Sequence, residues 1–197
     1  MRHGETESNR MGLALGRADV PLNERGQWQA ERLALALADA PLAAVYCSPL
    51  QRTVQTAAAI AARHALKPHP RPGLIEMDIG EADGLSFAEV RARFPGLLES
   101  WVSTAGPESP MPGGERLVDV QRRAWDTVRS LAAVHPQDTV CAITHNFVIL
   151  SVVAFVLGID LAMFRRLRHG VAAISRLELQ KERQRITLFN DSCHLDG

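Results

Sequence analysis

The 197-residue chain is expected to fold as an α/β protein, a three-layer α/β/α sandwich around a mostly parallel central sheet. Two short apolar runs carry the expectation, residues 43–47 (AAVYC) and 138–144 (DTVCAIT), which have the length and composition of strands buried on both faces. Each passes directly into a helical stretch rich in alanine or valine. Strands that alternate with helices in this way need a helical layer on each side of the sheet.

The elements follow in order. Residues 23–37 form an amphipathic helix, with Trp28, Leu33 and Leu37 recurring on one side. Residues 43–47 form a strand that stops at Ser48-Pro49, and the alanine-rich residues 50–63 form the next helix. Two shorter helices are expected at 86–94 and 97–102, followed by a loop at 104–114 (TAGPESPMPGG) dense in Pro and Gly. Residues 117–134 form a long helix with Val120, Ala124 and Val128 on its apolar face. After the strand at 138–144 comes a helix at 147–157, and strands at 172–179 and 185–189 close the chain. No repeat, charge block or linker divides it, so a single domain over residues 1–197 is expected.

Composition excludes several function classes. Apolar residues make up 46% and charged residues 22%, which places the chain among ordered globular domains. With 22 basic and 22 acidic residues there is no broad electrostatic footprint for nucleic acid or for an anionic membrane. The apolar run from Phe147 to Gly158 is too short to span a bilayer. Cys47, Cys141 and Cys193 lie far apart without zinc spacing and read as buried thiols of a reducing, cytoplasmic compartment. There is no GxxxxGK[ST], GxGxxG, GxSxG or HExxH, and Cys47 stands one residue too close to Arg52 for a cysteine-dependent phosphatase loop.

Chemistry concentrates at three segments instead. Arg2-His3-Gly4-Glu5-Thr6 opens the chain, with Asn9 shortly after; Ser48 to Thr53 and Thr144-His145-Asn146 each stand where a strand turns into a helix. In open α/β sheets ligands gather at the carboxyl ends of strands. Two histidines, two arginines and a helix N-terminus brought together would make a socket for a tetrahedral dianion. A lone histidine at a strand end is more often a satisfied polar residue, and Arg52 alone more often a surface or ion-pair residue. His64, His69, His135 and His194 have no supporting pattern and are read as solvated.

Six ordered motifs raise the site above those bland readings. RHGETESN at residues 2–9 is followed by PLNERG at 21–26 with Gln29-Ala30, and CSPLQRTVQTA at 47–57. Further on come LIEMDIGEADG at 74–84, PGGE at 112–115, and Asn190-Asp191 with His194-Leu195. Over nearly the whole chain this pattern resembles the histidine phosphatase superfamily, the phosphoglycerate-mutase-like family, and within it the phosphatase branch. The resemblance implies roles residue by residue. His3 matches the nucleophile that becomes a phosphohistidine, and Arg2 and Arg52 match the phosphate-clamping arginines. His145 matches the second pocket histidine, and Glu76 the proton donor to the leaving oxygen. Asn9 and the backbone near Gly16 match positions that line the pocket.

The implied activity is a phosphoric monoester hydrolase acting on a small phosphorylated metabolite, with no metal and no cofactor, and no nucleic-acid or membrane partner. Arginine forks supply the charge that phosphoryl transfer requires, and a neutral imidazole is an available nucleophile near pH 7. To protonate a leaving alkoxide Glu76 needs a raised pKa. The rivals are a cofactor-dependent phosphoglycerate mutase, a catalytically idle binding module of the same fold, and an unrelated α/β protein using His3 and His145 as metal ligands. The complete set Arg2, His3, Arg52, Glu76 and His145 argues against idleness. Segment 75–115 carries only Arg91 and Arg93 as basic residues against Glu81, Asp83, Glu89, Glu99 and Glu108, a poor second-phosphate site for a mutase. A homodimer is left open. Departures from the family pattern stand at Asn146 where glycine is usual, at Pro49 and Arg116, and at His169-Gly170. In this family a strand precedes RHG, so the first strand is expected to be truncated, with an extension before Met1.

Overall fold

In this computed structural model, residues 1–180 and 183–196 are described. The helices are α1 (Glu7–Arg10), α2 (Glu24–Ala36), α3 (Gln51–Arg63), α4 (Phe87–Arg93), α5 (Leu97–Val102), α6 (Leu117–Val134) and α7 (Asn146–Leu157). The strands are β1 (Leu42–Cys47), β2 (Pro68–Pro70), β3 (Thr139–Ile143), β4 (Ile174–Gln180) and β5 (Arg183–Asp191). Strands β2, β1 and β3 pair in parallel in that order, and β4 and β5 form an antiparallel hairpin. Residues 1–3 join the two pieces, because Arg2 bridges Thr144 in parallel at the end of β3 while its N–H donates to Ala173 O at 3.3 Å. Among the described residues no helix is long and apolar enough to cross a membrane.

Side-chain alternation along β1 builds the three layers. Val45 and Cys47 face α2 and α3, where they join Leu33, Ala34, Ala57, Ile60 and Ala61 in one core. Ala44 and Tyr46 face the other way, toward Leu74 and Leu131 of α6. A larger core between α6, α7 and the 77–101 segment is built from Met77, Val120, Ala124, Val148 and Leu150. The helices and strands read from sequence all form, within a few residues of their expected ends.

Several local expectations are corrected. Trp28 was expected on the buried side of α2 but is 38% exposed. The face that packs inward is Gly26, Gln29, Ala30, Leu33 and Ala34, because Gly26 and Gln29 are needed against the backbone that follows His3. Cys47 and Cys141 are buried, whereas Cys193 is exposed in the last turn before the C-terminus. His135 is held rather than simply solvated, with Nε2 2.8 Å from Tyr46 Oη and Nδ1 2.9 Å from an Asp138 oxygen. Strand β2 and helix α1 were not anticipated. Pro-His-Pro has no alternation to read and pairs only as a sheet edge, where proline is tolerated. Helix α1 is a single turn nucleated by a capping box between Thr6 and Asn9.

The backbone just after residue 3 is fixed by motif residues that do no chemistry. Asn23 caps α2 by accepting from Gly26 N–H at 2.8 Å, and Gln29 Oε1 accepts Glu5 N–H at 2.7 Å. Gln55 Oε1 accepts Leu22 N–H at 2.8 Å. Gly4 and Gly26 cross with their backbones in direct contact, so that a Cβ on either would overlap carbonyl oxygens of Gly26 or Glu5. These oxygens belong to the main chain and cannot swing away. Gly26→Ala is therefore expected to lower unfolding stability by about 1–3 kcal/mol, the usual penalty for overpacking a filled site. It should also displace residues 3–5, so urea unfolding and turnover measured together would both fall.

Candidate active site

His3 sits where residues 1–3 leave the sheet. Its N–H donates to Thr144 O at 3.1 Å, and its own carbonyl accepts from Ala172 N–H at 2.9 Å, so the backbone is held from both sides. The imidazole is buried, at 2% exposure. Nδ1 lies 2.7 Å from Gly4 O. A carbonyl only accepts, so Nδ1 carries the proton and Nε2 keeps a free lone pair. A neutral imidazole with one fixed tautomer is a prepared nucleophile.

Behind His3 stands His145, with ring centroids 5.2 Å apart. His145 is fully buried at the N-cap of α7, where β3 turns into the helix. Arg52 Nε donates to its Nδ1 at 3.3 Å, which leaves the proton on Nε2 to donate to Ser48 Oγ at 2.8 Å. Arg52 itself has no exposed surface. Its Nη1 donates to Ala18 O at 2.8 Å and its Nη2 to Gly16 O at 2.7 Å. The loop that supplies those carbonyls is pinned by Asp83, which accepts Gly16 N–H at 3.0 Å and Ala18 N–H at 2.8 Å. Gly16 thus serves Arg52, and the neighbouring stretch Leu13 to Leu15 lines the cavity.

That cavity, about 230 Å³, opens over His3, Arg2, Asn9, Glu76 and Asn146. Arg2 Nη1 donates to His169 O at 2.7 Å and reaches Asn146 Oδ1 at 3.5 Å, while its buried Nε has no partner. A guanidinium with an unpartnered buried donor beside a neutral imidazole can receive an anionic oxygen. Asn9 Oδ1 is occupied in capping α1, accepting from Thr6 N–H at 3.1 Å. Asn146 and Phe147, the first turn of α7, also face the cavity, where helix N–H groups favour negative charge. Among the described residues no third His, Cys, Asp or Glu gathers with His3 and His145 into a metal-ligand group.

Glu76 is buried at 3% exposure and accepts Met77 N–H at 2.9 Å and, across the cavity wall, Phe147 N–H at 3.2 Å. Its backbone is clamped by Arg123, which the sequence reading did not single out. Arg123 Nη1 donates to Gly73 O at 3.1 Å and Ile75 O at 2.6 Å, and Nη2 to Glu76 O at 3.0 Å. Glu115 holds Arg123 at 3.0 Å and accepts Asp78 N–H at 3.0 Å, which gives the PGGE loop its structural part. The only signal for Arg123 was its place on α6, about one turn after Val120 and next to Ala124. That pattern marks any solvent-edge arginine equally well.

Burial governs the titration of these groups. His3 and His145 are held well below the ordinary histidine pKa of 6.5, first by desolvation, then by neighbouring charges that include the Arg2 and Arg52 guanidiniums. Desolvation also pulls His169 down to about 3 and lowers Arg52 to about 10, still a cation at neutral pH. Glu76 moves up, because desolvation outweighs its two backbone hydrogen bonds and the attraction of Arg2 and Arg52. A histidine lowered on folding binds fewer protons in the native state, so its contribution is intact above its unfolded pKa and is lost as pH falls. Stability should therefore decline as pH drops through about 6.5, with His3, His145 and His169 each steepening the fall by about 1.4 kcal/mol per pH unit at most. Glu76, raised on folding, opposes them over the window from its native pKa down to 4.5. Urea unfolding at pH 7.5, 6.5 and 5.5 tests this; stability that is flat across the series contradicts the neutral buried imidazoles.

The family model of the histidine phosphatase superfamily (branch 1) matches residues 1–192. A phosphoserine phosphatase of Hydrogenobacter thermophilus is 32% identical over 195 residues, covering 99% of this chain and 92% of that protein. A probable phosphoglycerate mutase of Proteus mirabilis is 29% identical, covering 91% and 83% of the two chains. The solved structure of a mycobacterial glucosyl-3-phosphoglycerate phosphatase in complex with vanadate superposes with a TM-score of 0.88 at 27% identity, covering 97% of each chain. A parallel sheet between helical layers, motifs in matching order and this match over almost the full length agree. The chain belongs to the histidine phosphatase superfamily, branch 1.

Proposed function

We propose that this phosphoric monoester hydrolase of small metabolites works without a metal and through a phosphohistidine on His3. The observation that carries the reading is the 2.7 Å contact of His3 Nδ1 with Gly4 O, which frees Nε2 beside a cavity shared with Arg2 and Glu76. In the first step Nε2 attacks phosphorus in line, the P–O bond to the alcohol breaks, and Glu76 gives its proton to the departing oxygen. In the second, the Glu76 carboxylate takes a proton from water, whose oxygen attacks phosphorus and releases phosphate and His3. Arg2 grips the non-bridging oxygens, and Arg52 adds positive potential from behind while bracing His145. Phosphoryl transfer needs positioning and charge stabilisation above all, and these groups supply both. A cytoplasmic setting is part of the same reading.

The mutase reading is weaker. It needs cations for a second phosphate, and in segment 75–115 Arg93 is already paired with Glu81 at 2.9 Å. His3→Ala is expected to lower kcat/KM for an aryl phosphate by about 10³-fold or more while far-UV dichroism stays native. Wild-type turnover should persist in excess chelator. A His3→Ala enzyme of near wild-type activity, or wild-type activity that chelator abolishes and a divalent ion restores, defeats the mechanism.

The acid can be tested separately. Removing a general acid typically costs about 10²–10⁴-fold where the leaving group needs its proton and little where it does not. Glu76→Gln should accordingly slow release of an alkyl alcohol far more than release of 4-nitrophenol. Above the native pKa of Glu76 the wild-type rate on alkyl esters should fall while the aryl rate falls less. Equal losses on both substrates would assign the proton to another group.

A further inference from the structure

Resting on the phosphomonoesterase reading, we infer that the leaving-group chamber of this enzyme selects monoesters of apolar alcohols, aryl-alkyl or branched alkyl, and rejects alcohols that carry a carboxylate. The phosphate machinery occupies one end of the cavity. Beyond it the wall is Leu15, Val90, Leu98, Trp101, Met111 and Phe147. Among the described residues lining the cavity the ionisable side chains are Arg2, His3 and Glu76, all at the phosphate end.

The wall is built, not incidental. Trp101 meets Phe147 edge-on at 5.9 Å and Phe164 at 5.7 Å, and Phe147 meets Phe164 at 6.0 Å. Phe164 is 3% exposed and locks the other two rings from behind. Such edge-to-face contacts fix ring orientation and present a rigid apolar surface. At about 230 Å³ the cavity is larger than the apolar cavity of about 150 Å³ that suffices to hold benzene, so a phosphoryl group and an aromatic ring fit together.

A substrate carboxylate would find no partner there. Arg17 is committed to Asp78 and Glu115, Arg93 to Glu81, Arg116 to Glu108 and Asp119, and Arg165 donates to Val102 O. Asn9 and Asn146 offer only neutral groups. Moving an unpaired carboxylate from water into such a chamber is strongly unfavourable, whereas each methylene buried there improves binding about fourfold. The chamber therefore differs from what phosphoserine or a phosphoglycerate requires.

The experiment measures kcat/KM by phosphate release for benzyl phosphate and 3-phenylpropyl phosphate against O-phosphoserine and 3-phosphoglycerate, with phenyl phosphate as reference. The expected result is a preference of at least about 100-fold for the two apolar esters. Equal or faster turnover of phosphoserine or 3-phosphoglycerate overturns this inference while leaving the phosphatase reading intact. Absence of phosphate release from every ester, phenyl phosphate included, overturns the phosphatase reading and this inference with it. As a second measurement, Leu98→Lys should shift the ratio of 3-phosphoglycerate to 3-phenylpropyl phosphate by at least about tenfold toward the former. An unchanged ratio in a folded, active variant counts against the chamber as the seat of selection.

Discussion

A guanidinium with no exposed surface is expensive to bury, and the site is arranged around making Arg52 tolerable. Its donors are met by Gly16 O, Ala18 O and His145 Nδ1 rather than by a carboxylate. Neutral partners satisfy hydrogen bonds without cancelling charge, so Arg52 projects a positive field into the cavity that an ion-paired arginine would not. The arrangement constrains everything it touches. The 16–18 loop must offer two carbonyls at once, and Asp83 enforces this by accepting the N–H groups of the same two residues. His145 must offer Nδ1 as an acceptor, which fixes its tautomer and sends its remaining proton to Ser48. The motif around Arg52 thus includes Ser48 for a physical reason.

Arg123 plays a comparable part for the acid. A carboxyl group that must meet a leaving oxygen needs its backbone fixed, and the segment from Gly73 to Glu76 has no regular secondary structure beyond one 3₁₀ turn to fix it. One guanidinium gathering three carbonyls from that segment, with Glu115 balancing its charge, does the work of a missing strand. Replacing Arg123 by lysine would retain the charge but not the planar fork that reaches several acceptors at once.

How much of this was legible in sequence follows from the kind of signal each part leaves. The layers, and the strands and helices that compose them, were readable because apolar periodicity reports burial directly. The candidate site was readable because Arg2, His3, Arg52 and Glu76 stand in dense local motifs and His145 stands where an apolar strand turns into a helix. Trp28 shows where periodicity misleads: the inward face of α2 is set by Gly26 and Gln29, whose tasks are close backbone approach and a hydrogen bond. Arg123, and the division of labour between Gly16 and Leu15, were not readable, since both depend on contacts between segments 36 to 67 residues apart. The apolar wall was equally hidden. Leu15, Val90, Leu98, Trp101 and Phe147 are scattered along the chain, and each alone reads as ordinary core.

The same dryness that shapes the wall also sets the protonation states the chemistry needs. Desolvation disfavours whichever form is charged, so it lowers an imidazole and raises a carboxyl. His3 and Glu76 share one cavity and are displaced in opposite directions by that single cause. A nucleophile must be neutral and an acid protonated at the same pH, and in water histidine and glutamate reach those states on opposite sides of their crossover. Burial moves the two groups toward one another from opposite sides, which favours the neutral imidazole and the protonated carboxyl together. The arginines then divide into two roles. They deepen the shift on the histidines and work against the shift on Glu76, so the upward shift of Glu76 rests on desolvation alone. A polar or charged lid over this cavity would favour ionised Glu76 and weaken the acid. The apolar chamber is thereby tied to the chemistry as well as to the substrate, and selectivity and proton transfer are two consequences of one wall.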